Sequence, residues 1–211
     1  MQILLANAKI MFEKADRKPL STPLFQSVAD VLAAEMARMD VRELARQLDC
    51  SLKLAAENWQ RYHDFQFAEK MPAILAYNGQ AYKHLRANTL SDEALTFAQK
   101  HLWITCFLFG LLRPMDGIVP YRMEHCVSME ATHDKPVNQF WKDKLTDLLI
   151  ESVKADDGNP WTASCSFGVC RLGIFRCCDF RCDVYPDVSV ADHVDLALPG
   201  NSSAGGEKAG F

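Results

Sequence analysis

No apolar run in this chain approaches the length of a membrane span, and Met1 is not followed by a basic segment and an apolar core of the secretory type. A cytosolic protein is the expectation. Positive charge is also scarce. A net charge of −4 excludes a global basic field, so any DNA contact would need a local basic patch on an acidic molecule. The chain has no Gly-x-Gly-x-x-Gly loop, no P-loop, no His-Glu-x-x-His and no internal repeat. No Ser or Cys sits in a recognisable nucleophile elbow, which leaves no catalytic nucleophile to name. The six histidines, at 63, 84, 101, 125, 133 and 193, lack metal-ligand spacing. His63-Asp64 and Glu124-His125 are neighbours whose side chains on a strand would point to opposite faces. Neither a metal nor a cofactor is expected.

What is present reads as one soluble core of mixed α/β type. The 211 residues suffice for a single substantial core, with an apolar fraction of 49% and a charged fraction of 24%. Residues 2–6 read as a short strand. Thr22 is placed to cap a helix with Pro23 in its first turn, running through Val28, Val31, Leu32 and Met36. Asp40 is a second cap, before a helix with Val41, Leu44 and Leu48 on one face. The turn Asp49-Cys50-Ser51 leads into another helix through Trp59 and Tyr62. Residues 73–77 read as a buried strand ended by Asn78-Gly79. Ser91 caps a helix with Asp92 and Glu93 in its positive first turn. Strands are expected at 102–112 and 121–129, and a helical stripe from Val137 to Val153 follows. Helices around a mixed sheet are implied, without the regular βαβ repeat of a doubly wound fold. Trp59, Trp103, Trp141 and Cys106 are expected in the core.

The densest chemistry lies at Gly110-Leu111-Leu112-Arg113-Pro114-Met115-Asp116-Gly117-Ile118-Val119-Pro120-Tyr121-Arg122-Met123-Glu124. Two arginines, two carboxylates and a phenol follow a buried strand there. They could form a polar site, or ion pairs Arg113–Asp116 and Arg122–Glu124 that tie down a loop. Together with the opening Gln2-Ile3-Leu4-Leu5-Ala6-Asn7-Ala8-Lys9, this segment resembles the YaaA peroxide-stress family of bacterial cytosolic proteins. The matching positions are Gly110, Leu112 to Pro114, Asp116, Pro120 to Arg122 and Glu124. Others follow in the family's order: Asn58 and Arg61 with Tyr62-His63-Asp64, residues 73–79 with Tyr82, residues 97–102, and Gln139-Phe140-Trp141. Ala6-Asn7 stands where relatives have Ser-Pro. The likeness runs to about residue 158.

The resemblance implies protection of DNA and protein from oxidative damage, lowered free iron and DNA binding. It also implies a helix-hairpin-helix element, best matched by the helices around Asp49-Cys50-Ser51. Such a hairpin offers helix N-terminal amides to a phosphate, with Ser51, Lys53 and Arg61 adding side-chain contacts. The usual hairpin glycine is absent and Asp49 would face the phosphate, so a hairpin packed for core reasons is the alternative. Lys9, just past the first strand, is either a site residue or a solvated lysine. A DNA patch would comprise Lys9, Lys53, Arg61, Arg113 and Arg122, with Lys9, Arg113 and Arg122 converging on one cleft. A second reading is a small anionic or nucleotide-like ligand held by the arginines in a polar cleft with Asn58, Asp116, Tyr121 and Glu124. There a carboxylate or the phenol would move a proton.

After Gly158 the composition changes. All eight methionines precede that point, while the remainder has one lysine, Lys208, and five of the eight cysteines. Cys165, Cys170, Cys177, Cys178 and Cys182 follow the spacing C-x4-C-x6-C-C-x3-C, without the paired C-x2-C knuckles of a zinc module. Neither zinc nor a disulfide framework is expected. The division is therefore 1–158, an incomplete YaaA-like domain, and 159–211, a Cys/Gly-rich tail that is no independent domain. Out-of-frame translation is the favoured origin of the tail, and lineage-specific replacement the alternative. A third functional reading follows, that of a non-functional fragment. Gly173-Ile174-Phe175 could at most add a short strand to an open edge.

Overall fold

The computed structural model describes residues 2–155 and 162–163. Strand β1 (Ile3–Ala6) is fully buried and lies inside a four-stranded sheet of order β4-β3-β1-β6. β3 (Leu102–Cys106) runs parallel to β1, pairing Ile3 with Leu102 and Ala6 with Thr105. β4 (Gly110–Leu112) returns antiparallel on β3, and β6 (Thr162–Ala163) pairs parallel with β1 on its other side. The last pair lies beyond the composition change at Gly158. Strands β2 (Met71–Pro72) and β5 (Gly117–Ile118) form a separate antiparallel ribbon.

The α/β class expected from the sequence is the one observed, and several helices begin where their caps predict. Asp40 accepts from the amides of Arg42 and Glu43, both at 2.8 Å, opening α2 (Val41–Gln47). Ser51 accepts from Leu54 N at 3.3 Å and opens α3 (Leu52–His63). Ser91 opens α6 (Asp92–His101) in the same way, at 3.2 Å. α7 (Val137–Ala155) buries Val137, Trp141, Leu145 and Leu149 completely, side chains four apart on one stripe. The Trp141 indole donates to Phe107 O at 2.7 Å, so its polar atom is satisfied inside the core.

Four expectations are corrected. α1 (Gln26–Arg38) starts later than Thr22 predicts; Phe25 precedes it without a side-chain cap, and Gln26 N closes a turn onto Pro23 O. Its buried face is Ala29, Leu32, Ala33 and Met36, with Val31 53% exposed. Residues 73–77 are not a strand. After Pro72 the chain turns into α4 (Ala73–Ala76), then into α5 (Gln80–Leu85). An apolar run this short carries no period that separates helix from strand. The expected strand 102–112 is a hairpin: β3 and β4 are joined through Phe107, Leu108 and Phe109, with Gly110 at φ +69°. Finally, residues 121–129 form no strand and are held by turns. The tail cysteines and Gly173-Ile174-Phe175 lie outside the described residues. Among the described residues, no helix is long and apolar enough to cross a membrane.

Candidate functional site

Lys9 leaves the C-terminal end of β1, where Asn7 N extends the parallel ladder to Thr105 O at 2.9 Å. The chain there passes so close to the start of α5 that a Cβ on Gly79 would lie 2.7 Å from Ala8 Cβ. This approach explains the glycine. Lys9 Nζ reaches Glu124 Oε2 at 2.8 Å, and Arg122 Nη2 stands 2.8 Å from Glu124 Oε1. The second contact is close in distance but poorly aligned as a hydrogen bond, so it acts mainly through charge. Glu124 is 5% exposed. One buried carboxylate thus holds two cations, leaving a net positive charge at the end of the sheet.

Helix α3 carries the next residues of the network. Tyr62, buried, donates its hydroxyl to Arg122 O at 2.5 Å, and burial pushes its pKa far up, so it stays protonated and ties α3 to residues 121–124. Asn58 and Arg61 sit one turn apart. Arg61 Nη1 donates to Asn58 Oδ1 at 3.3 Å and Nη2 to Glu13 at 2.5 Å, while Asn58 Nδ2 donates to Leu54 O at 2.8 Å. Lys9, Arg122 and Glu124 thus form one ion-pair network, and Tyr62 ties to it the helix that carries Asn58 and Arg61. Cys50, in the α2–α3 turn, has its thiol pKa raised by burial and senses both Arg122 and Glu124. The hairpin turn thus adjoins the network. Lys53 stands exposed in the first turn of α3, and Ser51 is occupied as its cap. Glu13 was not singled out in the sequence, because nothing local shows that the loop after β1 folds back onto α3.

Arg113 is not part of this site. Because β4 reverses direction, its C-terminal end lies beside the start of β3, at the opposite end of the sheet from Lys9. The Arg113 guanidinium stacks 3.3 Å from the Trp103 ring centroid and donates to Lys100 O at 3.1 Å. Burial lowers its pKa, and Asp116 opposes that shift. Asp116 organises a turn: it accepts from Ser21 Oγ at 2.6 Å and from Arg113 N at 2.7 Å, while burial raises its pKa despite both bonds. The expected convergence of Lys9, Arg113 and Arg122 is therefore corrected to Lys9 and Arg122 alone.

Tyr121 also turns inward. Its hydroxyl meets Tyr77 Oη at 2.8 Å in a buried pair beside Cys106, and its ring packs edge-on against Phe109. Burial lifts its pKa well above the ordinary value, so it stays protonated near neutral pH. The proton-transfer cleft of Arg113, Asp116, Tyr121 and Glu124 is not assembled. Cys106, sealed in the same cluster, has its thiol pushed up to about 11 by burial. Iodoacetamide at pH 8 should accordingly modify exposed Cys126 and leave Cys106 intact until the protein is denatured. Peptide mass mapping reads this out, and equal labelling of the two thiols would contradict the sealed core. Among the described residues no cluster of His, Cys, Asp or Glu is arranged to hold a metal.

The comparisons agree with the reading of residues 1 to about 158. The family described as "Peroxide stress protein YaaA" matches residues 1–162. A UPF0246 protein of Parabacteroides distasonis is 40% identical over 161 residues, covering 74% of this chain and 63% of the relative. One from Bacteroides fragilis is 39% identical over 162 residues, with 75% and 63% covered. One from Legionella pneumophila is 35% identical over 167 residues, with 76% and 65% covered. The chain thus spans just under two thirds of these relatives' length. On the extent of the family match, residues 1–162, this chain belongs to the YaaA peroxide-stress family.

Proposed function

We propose that the chain serves the peroxide-stress response by contacting DNA through the α2–α3 hairpin, with Lys53, Arg61, Lys9 and Arg122 around it. The observation that carries this reading is the hairpin turn itself. Asp49 adopts φ +45°, the left-handed conformation in which a hairpin glycine would sit, so the turn geometry is kept although the glycine is missing. The first-turn amides of Leu52 and Lys53 meet no acceptor among the described residues and lie at the positive end of a 12-residue helix. Limiting free iron belongs to the same reading at the level of the cell, because less ferrous iron means less hydroxyl radical; no ligand set for iron is proposed.

Salt dependence tests it. Lys53→Glu should weaken retention on duplex DNA at low salt and reduce the slope of log K against log salt by about 1, the loss of one phosphate contact. Asp49→Gly, which removes both a left-handed non-glycine residue and a repelling charge, should tighten retention without unfolding the protein. Arg122 is the wrong residue to reverse, because its partner Glu124 is buried and two carboxylates would face each other. If folded Lys53→Glu keeps the parent's salt slope, the hairpin does not contact DNA.

A further inference from the structure

Of the three cysteines among the described residues, Cys106 is sealed in the core, Cys50 is half-buried and Cys126 is exposed. The two thiols outside the core are far apart in sequence but bracketed in space. On one side of the α2–α3 turn, Gln47 Nε2 donates to Ser128 O at 3.4 Å. On the other, the Tyr62 hydroxyl donates to Arg122 O at 2.5 Å. Along the chain Cys50 lies between Gln47 and Tyr62, and Cys126 lies between Arg122 and Ser128. The hairpin and residues 122–128 therefore lie alongside each other, with one thiol on each.

Two further contacts narrow the gap. Val127 N donates to Glu124 O at 3.3 Å, which puts Cys126 inside the same turn as Glu124. The Cys50 thiol in its turn feels the charges of both Arg122 and Glu124. A disulfide needs the two Cα atoms within about 7 Å. Residues 121–129 form no strand and are held by turns, so no sheet ladder fixes Cys126 against that approach.

We propose that hydrogen peroxide joins Cys50 to Cys126 in a disulfide that pins the α2–α3 turn to residues 122–128. Peroxide meets the exposed thiol first. The Cys126 thiolate sulfur attacks one peroxide oxygen and the O–O bond breaks. The departing hydroxide takes up a proton as water, and a sulfenic acid remains. The Cys50 sulfur then attacks the sulfenic sulfur. The S–S bond forms, the S–O bond breaks, and hydroxide leaves with the Cys50 proton as a second water. Two thiols are oxidised to one disulfide and one peroxide is reduced to two waters. Burial raises the Cys50 pKa and makes it a poor first target, while Arg122 opposes that shift and favours the thiolate used in the second step.

Peptide mapping of the peroxide-treated full chain tests this. The reduced protein is exposed to a modest excess of hydrogen peroxide, free thiols are blocked with N-ethylmaleimide, and the digest is mapped without reduction. The Cys50 and Cys126 peptides should be recovered joined, two hydrogens lighter than the separate pair, and reduction should release both. Cys50→Ser should leave Cys126 as a sulfenic acid that dimedone traps, and Cys126→Ser should leave Cys50 reduced. Serine at Cys165, Cys170, Cys177, Cys178 and Cys182 together should not lower the yield of the joined peptide. Both peptides recovered unlinked overturn the proposal. So does Cys126 joined to a cysteine beyond Gly158, or a Cys50–Cys126 link found only between two copies of the chain. The mapping involves no DNA, so failure of this bond and failure of the hairpin's contact with DNA are read separately.

Discussion

Gly110→Ala should lower the melting temperature by about 10 °C, although it adds one methyl group. Two effects act together. At φ +69° a side chain costs about 1–2 kcal/mol that glycine does not. The added Cβ would also lie 2.7 Å from Trp141 Cε3 and 2.8 Å from Cζ3. Trp141 has no room to retreat. It is fully buried, its indole is bonded to Phe107 O, and its ring packs against Phe25 and Phe140. Overpacking of this kind costs about 1–3 kcal/mol, a large part of an ordinary domain stability of about 5–15 kcal/mol. Thermal and urea melts measure the loss. A variant melting within a degree or two of the parent would show that the β3–β4 turn is not packed on α7 as described.

Glu124→Ala should be costly and Lys9→Ala cheap, although both remove a partner from the same ion-pair network. Arg122 has 18% of its side chain exposed, so losing Glu124 strands a guanidinium largely shielded from water, a change of about 2–4 kcal/mol. Lys9 is 60% exposed and its contact with Glu124 is screened by water, which limits its worth to under about 1 kcal/mol. Arg122→Met combined with Glu124→Ala should recover much of the loss, because the stranded charge is gone. The measurement is a double-mutant cycle in urea. Equal losses for Lys9→Ala and Glu124→Ala would mean that Arg122 reaches solvent.

The parts of the fold legible in the sequence are those with a local cause. Asp40, Ser51 and Ser91 each start a helix because a side-chain oxygen meets an amide two or three residues on, and that requires nothing distant. The α7 stripe was readable for the same reason, since a helix presents every fourth residue to one face. The residues lost to view sit in apolar runs without period. Leu102 to Leu112 is buried throughout, so nothing in its composition marks the reversal at Phe107-Leu108-Phe109. Residues 73–76 took helix, as the propensity of Ala73, Leu75 and Ala76 allows, but a run this short and apolar reads equally well as a strand.

The site divides along the same line. Residue types and order put Lys9, Arg61 and Arg122 in a basic patch that also held Arg113, and Glu124 in a polar cleft with Asn58, Asp116 and Tyr121, while the ion pair Arg122–Glu124 was foreseeable from two neighbours in sequence. The hairpin decided the rest. One unrecognised turn reversed β4 and carried Arg113 and Asp116 to the far end of the sheet, where they pack on Trp103 and close a turn. The loop after β1 folds back over residues 74–88, where Phe12 N meets Ala76 O and Asn78 N meets Ile10 O, and no residue of the loop announces that path. By itself the sequence determined the family, the α/β class and the starts of α2, α3 and α6, because these follow from short-range hydrogen bonding and from recurring residue types. Strand direction and the loop's return path came from tertiary packing, since a buried apolar residue satisfies the hydrophobic effect equally well in either direction.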